Sequence, residues 1–200
     1  MEGPAVKDRI PSPTGTGSGR TPPWSGEAAA ASLRRFVEKG QIEPGRALVL
    51  SAGMGEEIAA LHDLGFRVVA LDEDAAALKR LGGARQGNGN SVIPVRGEFL
   101  AMSPSYCGPV EMVVDRIFVH GLEPARRADW IHKTSRILPR GGRLVGFFLV
   151  GRSPEGPPYP IALDALKKLV GRHFITEVLE PTGTAEPGRG QAYRGLFLRK

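Results

Sequence analysis

From residue 27 onward, apolar side chains follow two rhythms that take turns along the chain. Segments 27–39, 56–64, 73–81, 123–138 and 161–170 place them three and four positions apart, as on a helix with one buried face. Between these segments, 46–50, 67–71, 91–95, 110–114 and 143–150 are short apolar runs rich in Val, Leu and Ile. Such runs predict strands covered on both faces. Two more strands, 173–179 and 193–198, are separated only by a loop over 181–191. Gly40, Gly65 and the Gly82-Gly83 pair stand where helices should stop, and Pro139 to Gly142 closes the longest one.

Strands and helices in alternation predict a parallel sheet with helices on both faces. The last two strands have no helix to cross between them, so they are expected to pair antiparallel at one edge. Residues 1–22 break the rhythm. They are rich in Pro, Gly, Ser and Thr and carry few large apolar groups, too few to offset the entropy of ordering them. A flexible tail over 1–22 and one domain over 23–200 are the expected organisation.

Composition narrows the function classes. The chain has 200 residues, 41% hydrophobic and 24% charged, which suits one globular domain. The net charge is +6, but the basic residues occur in pairs such as Arg34-Arg35 and Lys167-Lys168 rather than in long runs. This pattern points to solvated helix faces and an attraction for small anions more than to a nucleic-acid surface. A single cysteine, Cys107, allows neither an internal disulfide nor a cysteine metal cluster, and a cytoplasmic setting is expected. His62, His132 and His173 are isolated, so no metal site is expected. No apolar run is long enough to span a bilayer. A monomer or weak homodimer, with no membrane partner, completes this reading.

The chemistry gathers at strand ends. The first strand runs into Leu50-Ser51-Ala52-Gly53-Met54-Gly55-Glu56-Glu57. In open α/β sheets, ligands sit beyond the carboxyl ends of the strands, where glycines let the backbone come close. Asp72 ends the second strand, 17 positions after Gly55. An acid there can bind a ribose diol or cap the next helix. A dinucleotide fingerprint needs a third glycine where this chain has Ile58. Glu56 and Glu57 would also repel a pyrophosphate, yet they suit a sulfonium or an ammonium group. The balance favours S-adenosylmethionine over NAD. Trp130, Phe147 and Phe148 read as core. His120 follows the fourth strand on the side expected to face substrate.

In order and spacing, residues 47–72, Gly97-Glu98-Phe99-Leu100, Val113-Val114-Asp115-Arg116, Leu122-Glu123-Pro124, Arg127, Trp130, Leu138 to Gly142 and Gly156-Pro157-Pro158-Tyr159 resemble the thiopurine methyltransferase family and its thiol and halide methyltransferase relatives. Pro23-Trp24 resembles the opening of their catalytic domain. The resemblance implies a Rossmann-like class I methyltransferase fold, with a mostly parallel seven-stranded sheet, an antiparallel edge pair and helices on both faces. It implies S-adenosylmethionine as cofactor, with Trp24 lying over it. Ser51, Ala52 and Gly53 would line its methionine part, Gly55 would belong to the cofactor site, Asp72 would hold the ribose, and Glu98 and Phe99 would border the adenine. Asp115 and Arg116 would lie near methionine and substrate, with Arg116 on either, and residues 156–159 would form part of a lid. Asp115, Arg116 and His120 are the catalytic candidates. The chain departs from the pattern at Ser51, where many members have glycine, and at Glu98, where they usually have aspartate.

The expected activity is methyl transfer to a small soft nucleophile: a thiol, or a related selenium or halide anion. Methylation of RNA or another macromolecule, NAD binding, and a nucleoside-binding module with a degenerate site are the alternatives.

Overall fold

The computed structural model describes residues 25–53, 55–81, 86–87, 90–151, 156–183 and 190–200. The expected tail over 1–22 lies outside them, as do Trp24 and Met54.

The chain opens with α1 (Gly26–Glu38), β1 (Arg46–Leu50), α2 (Glu56–Asp63), β2 (Arg67–Asp72) and α3 (Ala75–Leu81). Then come β3 (Gln86–Gly87), β4 (Asn90–Arg96), β5 (Met112–Asp115), α4 (Phe118–Gly121) and α5 (Arg127–Ile137). It closes with β6 (Arg143–Val150), α6 (Leu163–Val170), β7 (Phe174–Pro181) and β8 (Gln191–Arg199). Gly40 and Gly65 act as the stop signals read from sequence, while the Gly82-Gly83 pair lies outside the described residues. After α1, Gly40 takes φ +65° and the N–H of Gln41 reaches back to the Phe36 carbonyl. After α2, Gly65 takes φ +91° and the N–H of Phe66 bonds to the Leu61 carbonyl. Both are glycine-terminated ends that satisfy stranded carbonyls.

Several elements differ from expectation. The segment read as helix from 123 begins instead as a short 3-10 turn, Pro124–Arg126, because proline at its start suits a tight first turn. The third helix starts at Ala75, not 73. Asp74 caps it by accepting a hydrogen bond from the Ala76 N–H, which frees Asp72 from that role. The four-residue α4 was not foreseen, since one turn leaves no periodicity to read.

The strand order is β3-β4-β2-β1-β5-β6-β8-β7. The five strands β4, β2, β1, β5 and β6 are parallel. β8 runs antiparallel between β6 and β7. Seven strands carry the sheet, and the two-residue β3 adds a small antiparallel hairpin at the β4 edge. The order reverses between β1 and β5, so the carboxyl ends of these two strands flank the switch point.

Alternation within the central strands divides the core. Leu48, Leu50, Val69, Leu71, Val113 and Leu144 pack on the face covered by α5 and α6. Ala47, Val49, Val68, Ala70, Met112 and Val145 pack on the other face, with Leu33 and Phe36 of α1 and Ile58 and Leu61 of α2. Trp130, Phe148 and Phe197 form an edge-to-face stack in the first layer.

Candidate active site

The switch point is built by two turns. After β1 the chain must reverse into α2 within a few residues, so Ser51 (φ +55°), Gly53 (φ +55°) and Gly55 (φ +87°) all enter the left-handed region. Asp72 ties this turn to the end of β2. Its Oδ2 accepts from the Gly53 N–H at 3.3 Å and its Oδ1 from the Asp74 N–H at 2.8 Å. The cleft beside it is lined by Leu50, Ser51, Leu71, Asp72, Glu73, Gly97, Phe99 and Phe118.

The second turn follows β5. Arg116 reaches across to α2, where its Nε donates to Glu57 Oε1 at 2.8 Å. Glu57 is fully buried and Arg116 nearly so. Burial pushes the Glu57 carboxyl up, against the pull of Arg116. The guanidinium lies so close to the glycine turn that a Cβ on Gly53 would meet Nη2 at 2.8 Å. Glu57 Oε2 is buried without a partner, and so is Glu56 Oε2, which lies against Gly26 at the start of α1. Of the two acids read from sequence as facing a cation, Glu57 is therefore engaged with Arg116, while Glu56 packs against the start of α1.

Asp115 is fully buried. Its Oδ1 accepts from the Val119 N–H at 3.5 Å, at the start of α4, and its Oδ2 has no partner. Desolvation raises its pKa to about 7. The opposing pull comes from the Val119 and Phe118 N–H groups, the Trp130 indole, which stands close but outside hydrogen-bond geometry, and Arg116.

The far wall is aromatic. Phe99 meets Phe118 edge-on, with centroids 5.4 Å apart. Lys133 of α5 stands 5.5 Å over the Phe99 ring and donates to the Leu100 and Met102 carbonyls, which fixes the turn that carries Phe99. Glu98 bonds within the same turn, its two carboxylate oxygens accepting from the Leu100 and Ala101 N–H groups. Burial, Glu98 and Asp72 together raise the pKa of Glu73, so the cleft has an acidic rim.

A model of the family described as thiopurine S-methyltransferase matches residues 18–198. This chain belongs to the thiopurine S-methyltransferase family. A probable thiol methyltransferase 2 of Arabidopsis thaliana is 25% identical over 154 residues, covering 74% of this chain and 66% of that protein. Thiocyanate methyltransferase 1 of Brassica oleracea is 24% identical over the same length and shares. The chain thus spans 66% of the length of these relatives. The fold recurs in the N-methyltransferase NodS of Bradyrhizobium japonicum (TM-score 0.72, 14% identity, 88% of each chain). It recurs in the magnesium protoporphyrin IX methyltransferase of Synechocystis (TM-score 0.71, 14% identity, 92% of this chain and 87% of that one). Both likenesses support a Rossmann-like methyltransferase fold.

Of the residues that the thiopurine S-methyltransferase resemblance singled out, Ser51, Gly53, Asp72, Phe99 and Arg116 converge on the switch point. Ala52 is buried beneath it, its N–H bonded to the Leu71 carbonyl, and Gly55 opens α2. His120 stands apart. Its ring is buried, with both nitrogens engaged by backbone groups, and neither Asp115 nor His120 is exposed to receive a substrate proton. Phe118 and Lys133 escaped the sequence reading, the first because it lies on the unforeseen α4, the second because nothing local marks it.

Ser51 holds its left-handed conformation at a cost that glycine does not bear. Ser51→Gly is expected to gain about 1 kcal/mol, read as a rise in melting temperature of about 2–4 °C. An unchanged or lower melting temperature would show that the hydroxyl stabilises the turn.

Proposed function

We propose that this protein transfers a methyl group from S-adenosylmethionine to a small soft nucleophile: a thiol, or a related selenium or halide anion. The observation that carries this reading is Arg116, held by Glu57 against Gly53 at the switch point. It offers a fixed cation where a cofactor carboxylate or an anionic acceptor would lie. The acidic rim of Asp72, Glu73 and Glu98 suits a ribose and a sulfonium and would repel a pyrophosphate, which argues against NAD. The names of the relatives, a thiol and a thiocyanate methyltransferase, support the acceptor class.

The residues fit that cofactor. Asp72 would bind the ribose hydroxyls while the Gly53 and Asp74 N–H groups hold its carboxylate in place. Phe99 and Phe118 would flank the adenine. Bound there, the cofactor would supply an electrophilic methyl group on a sulfonium. The chain's task is to align the partners and exclude water, which accounts for much of the rate of an in-line displacement. Asp115 and His120, the two candidate bases, are both enclosed and neither stands ready to take a substrate proton. The site therefore asks for an acceptor already ionised at working pH, such as a thiolate, and a net charge of +6 draws such anions in. In this reading the protein works in the cytoplasm as a monomer or weak homodimer.

Calorimetric titration with S-adenosylmethionine, S-adenosylhomocysteine and NAD is the test. Both adenosyl ligands are expected to bind. Asp72→Ala should weaken them about ten- to a hundredfold, the worth of one or two hydrogen bonds to a charged group. Binding of NAD alone would overturn the reading. Cofactor binding without turnover of any thiol, thiocyanate or iodide would overturn the acceptor class.

A further inference from the structure

At the carboxyl end of β6, a hydrogen bond normally made by a strand is made by a side chain. β5 ends at Asp115, paired with Gly146, while β6 continues to Val150. Leu149 turns both of its backbone groups toward the side that β5 has vacated. Its carbonyl accepts from the Ile161 N–H at 3.0 Å, and its N–H donates to His120 Nε2 at 3.0 Å. An amide N–H can only donate, so Nε2 carries no proton and Nδ1 must carry it. Nδ1 donates to the Tyr159 carbonyl at 2.7 Å. The Tyr159 N–H in turn donates to the His120 carbonyl at 2.8 Å.

Arg127 makes the second hold. Its Nη2 donates to the Tyr159 carbonyl at 2.7 Å and to the Pro160 carbonyl at 3.2 Å. A buried guanidinium is usually met by a carboxylate. Among the described residues Arg127 has none, its Nε has no partner, and its charge falls on these two carbonyls. Residues 156–161 are thus a strap fastened from two sides. The fastening and the cofactor cleft share α4: Phe118 lines the cleft and His120 stands two positions on.

We propose that His120 is a positioning residue for the methyl acceptor: its neutral imidazole takes the place of a β-strand at the end of β6 and, with Arg127, fixes strap 156–161 on the acceptor side of the cleft. The word acceptor rests on the methyltransferase reading above, while the fastening itself does not.

The test compares His120→Leu, which has neither donor nor acceptor, with His120→Gln, whose amide has one of each. Amide hydrogen exchange is read at Leu149, Tyr159 and Ile161. Thiocyanate and benzenethiol serve as acceptor probes, and S-adenosylhomocysteine as the cofactor probe. In the leucine variant the three amides are expected to exchange about tenfold faster, and acceptor KM to rise about tenfold, the worth of one hydrogen bond. The turnover number and the Kd of S-adenosylhomocysteine should hold within about twofold. The glutamine variant should recover most of both changes.

Unchanged exchange at the three amides overturns the proposal. So does faster exchange with an unmoved KM, an equal loss in KM and cofactor affinity, or no recovery by glutamine. If the wild-type protein methylates neither probe, the same comparison is made with the first thiol or iodide that it does methylate; turnover of none overturns the word acceptor, and exchange with glutamine recovery decides the fastening. Should the leucine variant not fold, Arg127→Met, which removes the other hold, is read in the same way.

Discussion

Glu57→Ala is expected to destabilise the fold by about 3–5 kcal/mol, the cost of leaving a buried partner charge uncompensated. The pair joins two residues 59 positions apart through one 2.8 Å bond in a site nearly closed to water. Coulomb attraction there is strong, but so is the cost of removing both ions from water, and the two come close to cancelling. Replacing both partners by apolar residues, Glu57→Leu with Arg116→Met, should therefore recover most of the stability lost in the single variant. It should not recover cofactor binding or methyl transfer, because the cation beside Gly53 is gone. Urea denaturation and calorimetry on the two variants separate these effects. A double variant as unstable as Glu57→Ala would mean that the pair holds the fold. A double variant that still binds S-adenosylhomocysteine at wild-type affinity would remove Arg116 from the site.

The dependence of stability on pH should change in opposite directions when Asp115 or His120 is removed. Burial lowers the His120 pKa from 6.5 to about 4; the Tyr159 carbonyl opposes the shift and the Arg127 charge adds to it. Between those values the unfolded chain binds a proton that the folded chain refuses. The stability contributed by neutral His120 is thus complete above 6.5 and lost as pH falls toward 4, about 3 kcal/mol in all. Asp115 behaves in the reverse way. Burial raises its pKa from 3.8 to about 7, so the folded chain keeps a proton that the unfolded chain releases. Its contribution is complete below 3.8 and lost as pH rises toward 7, about 4 kcal/mol.

From pH 4 to 6.5 the two slopes oppose each other in the wild-type protein. Measured against it, Asp115→Asn should lose about 1.4 kcal/mol per unit of acidification across that window, and His120→Gln should gain about as much. Urea midpoints at four pH values resolve the divergence. Curves parallel to wild type for both variants would show that neither group titrates abnormally in the fold.

The sheet was legible because its strands obey a strong rule. Ala47 to Leu50 and Met112 to Val114 are buried on both faces, and only continuous apolar runs serve there. The glycine turn and Asp72 were legible because a strand that must reverse at once into a helix leaves few residue types able to do so. Asp72 carried two readings in sequence, cap or ribose ligand, and the cap falls to Asp74. What stayed hidden depends on long-range partners. Glu57 looked like a free acid at a helix start because Arg116 lies on another strand's turn. His120 looked like a base because its position after β5 was visible and its two backbone partners, one in β6 and one at Tyr159, were not. A side chain that replaces a strand leaves no periodicity in sequence.

Because β8 lies between β6 and β7, chain order and spatial order disagree at this edge. A chain emerging from the ribosome completes β6 as Arg-Leu-Val-Gly-Phe-Phe-Leu-Val and then makes α6 and β7 before the strand that must cover it. β7 cannot serve meanwhile, since it pairs only with β8. During synthesis, then, an apolar strand with an open edge waits for its neighbour, which is the condition under which nascent chains associate with one another. The exposed interval opens when residues 143–150 are made, and it closes only when residues 191–199 zip between β6 and β7.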